Sequence, residues 1–383
     1  MATQVGTMAK YQVSSYPLSY GGFSSQVYAG LEQLALDGRI DLRYTLKPIH
    51  RIFERTDWGQ PNNARIAYIE VARDGGDPVT VCYDMLDGAE ILTINGLEKC
   101  DAYFKRSYSS RHLDLNDELA LEAGNAGLLN EGLRRKIRPY GLNTPSNSPD
   151  QVATVKRILL HGHLSGELYR RPVFSLKKLV GMAVRDNPVS AIADVDPEVP
   201  SDALVLFQTR LFDPAAHYHS AETDEMNRYR AEIVKALKGS LGRKFVGGLY
   251  PDEYARRRFP DLLTDLPTDQ AEYMALLTRC RIAVFSRGLR QSTGWRYPEF
   301  LRASRCIVSE PLAYELPEPL EQGVNHLTFD DPDQCVEACS KILGDEDFAA
   351  RMRRANYEYY QANVKPSSII MNTIETALSA AQG

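Results

Sequence analysis

The start of the chain combines two strand-like apolar runs with a helical apolar spacing between them. The first run ends near Ser15, and the second spans residues 40–46. Between them, Val27, Leu31 and Leu34 recur at intervals of three and four residues, as on one face of a helix. The order of strand, glycine turn, helix and strand predicts a βαβ unit.

The second half of the chain alternates strand and helix patterns in short, regular units. Compact apolar runs predict the strands, and amphipathic spacing predicts the helices between them. The predicted strands cover residues 203–210, 243–250, 281–286 and 305–310, and the predicted helices cover residues 224–242, 268–280, 296–304 and two segments of 330–364. Together the two halves predict an α/β protein with two Rossmann-like domains, each built on a mostly parallel sheet.

Polar sequence rich in Pro, Gly and Asn separates the two halves. It ends in RPYGLNTPSNSPD, and a proline-rich segment, IADVDPEVP, precedes the next predicted strand. We therefore predict an N-terminal domain over residues 1–150, a connecting region over 151–200, a C-terminal domain over 201–350 and C-terminal helices over 351–383.

Composition and charge narrow the class of protein. The chain has 383 residues, of which 43% are hydrophobic and 25% charged, as in globular proteins with two domains. No apolar run approaches the ~20 residues of a membrane span, and the N-terminus has no apolar signal-peptide core, so we expect a cytoplasmic protein. The formal net charge of −5 argues against general affinity for nucleic acid, although RRKIRPY and YARRRFP are local basic runs.

Polar residues crowd the loop after the predicted strand 281–286. Ligands of open parallel sheets bind beyond the carboxyl ends of the strands, so this loop is a candidate site. Ser292 or Thr293 would cap the next helix, and Gly294 would permit close backbone approach. The free N–H groups of that helix start would bind a phosphate, and Glu299 would accept two hydroxyl groups of a ribose. The alternative is a capped helix whose first-turn Glu complements the helix dipole. Three arginines of this segment would add positive charge for a phosphate: Arg287, Arg290 and Arg296.

Two other strand ends carry candidate phosphate contacts. Arg210 ends the predicted strand 203–210 and suits a diphosphate, or else a salt bridge to Asp213 or a nearby acid. Gly21 and Gly22 follow the first strand, where they form either a phosphate loop or a simple tight turn.

Three residues of the first half are candidates for a general base. Asp84 and Asp87 lie just past a predicted strand, and His50 follows another. The alternative for each is a structural role through ion pairing or hydrogen bonding. Neither HGHLSGE nor DVD has a spacing and context that predict a metal site, so we expect no metal and no cofactor.

The segment from RIAVFSRGLRQSTGW to ILGDEDFAARMRRA resembles the C-terminal domain of GT-B-fold glycosyltransferases. It follows the order of that family: strand, loop, a helix carrying Glu, strand, a G-x-N-x-x-x-F strand and a helix start at D-D-P. The resemblance is nearest to the glycosyltransferase group 1 type, including the CgeB-like branch. The N-terminal YGGFSSQVYAGLEQLALDG is similar to the family's glycine loop and first helix.

This resemblance implies two Rossmann-like domains facing a cleft, with a nucleotide-sugar donor on the second domain and the acceptor on the first. Glu299 matches the glutamate that holds the donor ribose, and Arg210 matches the basic residue that binds the donor phosphate. A second basic group is expected nearby, for which Lys244 is the candidate. Gly21 and Gly22 match the loop that closes on the diphosphate. The last helix is expected to cross back to the first domain.

One position departs from the family pattern. Many retaining members carry a second Glu eight residues before the ribose glutamate, where this chain has Gln291. The stereochemical outcome therefore stays open. An inverting enzyme would need Asp84, Asp87 or His50 as a base, whereas in a retaining enzyme the donor phosphate itself would assist.

The sequence thus predicts a metal-independent glycosyltransferase, either a hexosyl- or a pentosyltransferase. It would move a sugar from a nucleoside diphosphate to a hydroxyl group of a glycan, a lipid-linked acceptor or a small molecule. One alternative is a sugar transferase that acts on nucleic acid or a modified base, which the acidic net charge disfavours. The other is a non-catalytic two-domain ligand-binding protein. The oligomeric state is not predicted.

Overall fold

The computed structural model of the protein describes residues 11–16, 22–45, 65–89, 92–114, 129–164, 194–216 and 220–381. They divide into two compact units. Unit 1 contains the described residues up to 164 together with 315–317 and 363–381, and unit 2 contains 194–314 and 318–362.

The described residues form eleven β-strands and twelve α-helices. The strands are β1 Tyr11–Ser15, β2 Ile40–Tyr44, β3 Ile66–Arg73, β4 Val79–Asp84, β5 Ala102–Lys105, β6 Ile137–Pro139, β7 Asp202–Thr209, β8 Phe245–Leu249, β9 Cys280–Phe285, β10 Cys306–Ser309 and β11 His326–Thr328. The helices are α1 Ser25–Leu36, α2 Ile94–Lys99, α3 Ser110–Leu113, α4 Glu131–Arg134, α5 Gln151–Leu164, α6 Ser220–Leu241, α7 Glu253–Arg258, α8 Gln270–Arg279, α9 Arg296–Arg302, α10 Pro332–Gly344, α11 Glu346–Tyr359 and α12 Pro366–Ala381. No helix in these ranges is long and apolar enough to cross a membrane.

The sheet of unit 1 is mixed, in the order β2-β1-β3-β4-β5-β6. Strand β3 runs antiparallel to both of its neighbours, and the other pairs are parallel. The exception arises because β3 and β4 are joined by a tight turn in which Asp74 and Gly75 adopt φ values of 53° and 76°. A short hairpin connection joins antiparallel strands, whereas parallel strands need a longer crossover.

Helices α12 and α5 determine how far unit 1 extends along the chain. A Cβ added at Gly30 of α1 would lie 2.2 Å from the carbonyl oxygen of Pro366, so glycine lets α1 and α12 approach closely. Helix α5 packs on β2, where the Tyr44 N–H donates to His161 Nδ1 at 2.9 Å, and it buries Ile158. Residues 151–164 therefore belong to unit 1, and their prediction as connecting sequence is wrong.

The return of the chain to unit 1 begins later than predicted. Helix α11 stays in unit 2, and the chain re-enters unit 1 at Asn363, within a π-helical turn at Tyr360–Val364. The sequence placed this boundary at residue 351 because an unbroken helical pattern gives no sign of where its packing partner changes.

The sheet of unit 2 is entirely parallel, in the order β11-β10-β9-β7-β8. This confirms the predicted parallel sheet of the second half. Gly247 and Gly248 of β8 have φ values of 134° and 136°. A Cβ at Gly247 would lie 2.0 Å from the Phe207 carbonyl oxygen of β7, so this approach between β7 and β8 requires glycine.

Candidate functional site

The strand order of unit 2 defines a topological switch point. Strand β8 lies on one side of β7, and the later strands β9, β10 and β11 lie on the other side. The direction in which the chain adds strands therefore reverses between β7 and β9. In open parallel sheets, ligands bind in the crevice beyond the carboxyl ends of the strands at such a point. The residues that follow these two strand ends are Arg210 after β7 and Ser286 after β9.

Arg210 is exposed at the switch point. Its guanidinium carbon lies 5.7 Å from the centre of the Tyr250 ring, which follows β8. Within the described residues, Arg210 forms no ion pair, and an Asp213 carboxylate oxygen accepts from the Ala215 N–H at 3.0 Å instead. The alternative that Arg210 forms a salt bridge to Asp213 or a nearby acid is therefore not supported among the described residues, and its charge is available to a ligand.

Arg230 of α6 links the loops after β7 and β9, and it is 5% exposed. Its Nη1 donates to the carbonyl oxygen of Arg210 at 2.5 Å, and its Nη2 donates to the carbonyl oxygen of Arg287 at 2.7 Å. Its Nε lies 3.4 Å from Ser286 Oγ. Burial lowers the pKa of Arg230 to about 10, opposed by the charge of Glu310, so the side chain is cationic at neutral pH.

Lys244 lies at the wrong edge of the sheet to assist Arg210. It occupies a short 3-10 helix directly before β8, whereas Arg210 directly follows β7. Because β7 and β8 are parallel, the start of one strand and the end of the other lie at opposite edges. The prediction that Lys244 is the second basic group near Arg210 is wrong.

Glu299 lies in the first turn of α9 and is 1% exposed. Its Oε1 accepts from Gln270 Nε2 at 3.0 Å, and its Oε2 accepts from Arg296 Nη1 at 3.1 Å. Burial raises the pKa of Glu299, while Arg296 and Gln270 oppose that effect. Arg296 also donates to the Tyr250 hydroxyl at 2.8 Å, so Glu299 connects through Arg296 to the aromatic ring beside Arg210. Each carboxylate oxygen has a further acceptor position, so a ribose contact requires access to this buried group rather than the loss of either bond.

The loop between β9 and α9 forms a backbone hydrogen bond within itself, and its Ser and Thr side chains do not cap the helix. The N-cap residue of α9 is Trp295, which makes no side-chain cap bond, so the prediction that Ser292 or Thr293 caps this helix is wrong. The Gly288 N–H donates to the Ser292 carbonyl oxygen at 2.8 Å. A Cβ at Gly288 would lie 3.2 Å from the Ser292 carbonyl oxygen, so a larger residue there would require a small shift of the turn.

Backbone strain is concentrated in the same loop. Arg290 and Gln291 both adopt φ of 56°, a left-handed conformation that is uncommon outside glycine, and Gly294 follows with φ of 60°. The Tyr314 hydroxyl donates to the Arg290 carbonyl oxygen at 2.5 Å, which holds the strained turn. Residues in such conformations persist where the surrounding structure fixes them, and they occur often at ligand sites.

A cavity of about 490 Å³ opens in unit 2 beside this loop. Its charged lining includes Glu225, Arg228, Glu232, Arg287, Glu310 and Asp330. The Arg287 N–H donates to Glu310 Oε2 at 2.9 Å, and the Arg287 guanidinium lies 3.4 Å from Glu310 Oε1 and 3.8 Å from Glu225. The exposed Gln291 also lines this cavity. Because its charge is paired with acids, Arg287 forms part of the cavity wall rather than a phosphate contact.

In unit 1, Asp84 belongs to a buried hydrogen-bond network at the end of β4. Its Oδ1 accepts from the Leu86 N–H at 2.8 Å and lies 3.3 Å from Lys105 Nζ, and its Oδ2 accepts from the Tyr103 hydroxyl. Burial lowers the pKa of Lys105, opposed by the charge of Asp84. These contacts favour the structural alternative for Asp84 over its role as a base.

Asp87 is one-third exposed and pairs with two arginines. Arg65 Nη1 lies 3.3 Å from one of its oxygens, and Arg106 binds the other. Both guanidinium groups lie over the Phe23 ring, at 4.4 and 5.4 Å from its centre. Like Asp84, Asp87 is engaged in pairing, and its role as a base stays a prediction.

The remaining predicted residues of the first half lie at or beyond the limits of the described chain. Gly22 is described, and its carbonyl oxygen accepts from Ser25 Oγ at 2.8 Å at the start of α1. Gly21 and His50 lie outside the described residues. The DVD motif serves local structure, because Asp194 pairs with Arg302 at 3.3 Å and Asp196 accepts from the Glu198 N–H at 2.8 Å.

Sequence reasoning missed the two polar residues of α6 that fix the switch-point loops. Asn227 is fully buried, and its side chain bonds both the N–H and the carbonyl oxygen of Phe212, at 3.1 and 2.6 Å. Asn227 and Arg230 share the buried face of α6 with Val234. Their signal was present in the sequence, since a polar residue within the apolar stripe of an amphipathic helix needs a buried partner.

No protein-family model and no curated protein matches the chain. Among solved structures, it is similar to HepE from Anabaena in complex with UDP-glucose, at 13% identity and a TM-score of 0.40, over 78% of this chain and 72% of that one. It is similar to the UDP-forming α,α-trehalose-phosphate synthase from Burkholderia vietnamiensis, at 13% identity and a TM-score of 0.39, over 76% of this chain and 64% of that one. It is also similar to the C-terminal domain of LpcC from Francisella tularensis, at 12% identity and a TM-score of 0.29, over 42% of this chain and 85% of that domain. LpcC is named as a glycosyl transferase group 1 family protein, which is the group that the sequence of this chain resembles.

Proposed function

We propose that the protein is a glycosyltransferase that binds a nucleoside diphosphate sugar at the switch point of unit 2 and transfers the sugar to a hydroxyl group. The observation that carries this proposal is the exposed Arg210 at the β7 end, without an ion pair among the described residues, in a loop fixed by the buried cation Arg230. Two positive charges at the site where parallel sheets bind ligands suit a diphosphate. The sequence resemblance to group 1 glycosyltransferases supplies the reaction class.

In this reaction the bond between the sugar C1 and the diphosphate oxygen breaks, and a bond between C1 and the acceptor oxygen forms. Negative charge develops on the departing diphosphate, and Arg210 would stabilise it. The acceptor hydroxyl loses a proton, either to the departing phosphate or to a base of the first half of the chain. The engaged state of Asp84 favours the phosphate over that residue as the proton acceptor.

The test is thermal melting with a panel of nucleoside diphosphates in the presence of EDTA. A ligand that binds only the folded state raises the melting temperature in proportion to ln(1 + [L]/Kd). We expect one or more of UDP, GDP, ADP and TDP to stabilise the protein, and the corresponding nucleotide sugar to be hydrolysed slowly. A chain that none of these nucleotides stabilises would overturn the proposal.

A further inference from the structure

Arg230 differs from Arg305, another buried cation of unit 2, in the backbone carbonyl groups to which it donates. Arg305 is also buried, and its guanidinium donates to the carbonyl oxygens of Ala303, Thr278 and Cys280, which lie at the amino end of β9 or near it. Arg230 instead donates to the carbonyl oxygens of Arg210 and Arg287, which follow the carboxyl ends of β7 and β9. Only the second arrangement lies at the switch point.

Arg230 bonds a backbone carbonyl group in each of the two loops. Along the chain, the bonded carbonyl groups lie 20 residues before and 57 residues after Arg230. Asn227, one turn earlier on α6, fixes the β7 loop alone, through both backbone polar groups of Phe212. Strand pairing fixes where the two loops begin, and the guanidinium of Arg230 then bonds the backbone of both loops beyond the strand ends.

The joined loops carry different functional groups. The β7 loop carries the exposed Arg210, and the β9 loop carries Arg287 and Gln291, which line the cavity of about 490 Å³. A ligand that contacts Arg210 and extends into the cavity would meet both loops. Loops held at fixed separation lose less conformational entropy on binding than loops that move independently, which favours affinity.

We propose that Arg230 is a positioning residue that sets the β7 loop against the β9 loop and thereby fixes the site for the diphosphate and the attached group. This inference rests on the proposed function. Arg230 does not touch the ligand; it acts through the backbone of Arg210 and Arg287, and its buried positive charge adds to the field that attracts an anion.

The first experiment compares Arg230→Gln with Lys235→Gln. Lys235 lies on the same helix, is exposed and does not line the cavity, so this control also replaces a cation by Gln but leaves both loops and the cavity unchanged. We expect Arg230→Gln to weaken binding of the stabilising nucleoside diphosphate at least 10-fold, and Lys235→Gln to leave it within twofold. Free guanidinium at a few millimolar, added to Arg230→Ala, is expected to restore part of the lost affinity, which a purely structural defect would not show.

A second measurement uses the unchanged protein and does not depend on whether the variants fold. Hydrogen–deuterium exchange is followed with and without the nucleoside diphosphate. We expect residues 210–213 and 286–292 to gain protection together, while residues 242–244 at the opposite edge of the sheet do not change. Protection of only one loop, or a folded Arg230→Gln protein with affinity within twofold of the wild type, would overturn the inference. A wild-type chain that binds no nucleoside diphosphate would overturn the proposed function and this inference together.

Discussion

At the carboxyl edge of the unit 1 sheet, the described acidic side chains are paired. Asp84 contacts Lys105 in a network that is almost fully buried, and Asp87 contacts Arg65 and Arg106. At the corresponding edge of unit 2, Arg210 forms no ion pair with any described carboxylate. The attraction within a buried ion pair offsets the cost of desolvation only when the two groups are well positioned. An exposed cation at a strand end that pairs with no acid is instead available to a ligand. The two edges therefore differ: the first has paired charges that stabilise the fold, and the second has an exposed cation where we propose that the ligand binds.

Removal of one partner from the buried pair of unit 1 is the largest expected effect. Asp84→Asn leaves the Lys105 ammonium buried without its counter-charge, and such a change costs about 3–5 kcal/mol. Denaturant unfolding followed by circular dichroism measures the loss. Asp77→Asn, in an exposed turn of the same sheet, is the control and should change stability by less than about 0.5 kcal/mol. A loss below about 1 kcal/mol for Asp84→Asn would mean that the network is not structural.

The next largest effect is an acid sensitivity of unit 2 that comes from a buried histidine. His326 is 7% exposed, its Nδ1 lies 2.6 Å from the Tyr297 hydroxyl, and burial lowers its pKa from 6.5 to about 4. The folded state therefore favours the neutral ring. Its stabilisation is complete above pH 6.5 and is lost as the pH falls toward 4, by about 3 kcal/mol in total.

The measurement for His326 is the free energy of unfolding between pH 4 and pH 8 for the wild type and His326→Gln. We expect the difference between the two proteins to shrink as the pH falls, because only the wild type carries the titrating ring. Parallel curves over this range would show that His326 does not hold a depressed pKa in the folded protein.

Periodicity and strand ends are local properties, so the sequence predicted α1, the parallel sheet of unit 2 and the loop after β9. The edge of the sheet at which a residue lies depends on the direction of its strand. Lys244 precedes β8, so it lies at the edge opposite Arg210, where the prediction had not placed it. Arg230 was missed because its partners, Arg210 and Arg287, are distant along the chain. The start of α9 at Trp295 rather than after Thr293 reflects a loop that closes on itself, which no cap pattern reveals.

The switch point is tested by Arg210→Ala against Lys244→Ala. Both side chains are exposed and basic, but they lie at opposite edges of the same sheet. We expect Arg210→Ala to weaken nucleoside diphosphate binding about 10- to 100-fold, or about 1.4–2.7 kcal/mol, with little change in stability. Titration calorimetry measures both variants. Equal losses for the two would assign the affinity to general positive charge rather than to the switch point.

The smallest expected effects concern two buried glutamates, one in each unit. Burial raises the pKa of both Glu32 and Glu299 above 4.5. The hydrogen bond from the Tyr44 hydroxyl to Glu32 and the ion pair of Arg296 with Glu299 partly oppose this rise. An acid with a raised pKa stabilises the fold most when protonated, so its contribution is lost as the pH rises from 4.5 through the folded pKa. The wild type should therefore lose stability relative to both Glu32→Gln and Glu299→Gln as the pH rises, in unfolding experiments between pH 4 and pH 8.

The pH dependence of stability is expected to be similar for these two glutamates, but their effects on ligand affinity are expected to differ. If Glu299 contacts the ribose, Glu299→Gln weakens binding of a nucleoside diphosphate but not of inorganic pyrophosphate, which has no ribose. We expect this split for Glu299→Gln, at about fivefold, because Arg296 joins Glu299 to the Tyr250 ring beside Arg210. Glu32→Gln, on helix α1 of unit 1, should leave both affinities within twofold. Equal affinities in all three proteins would remove Glu299 from the binding edge and make it a buried structural residue, as Asp84 is in unit 1.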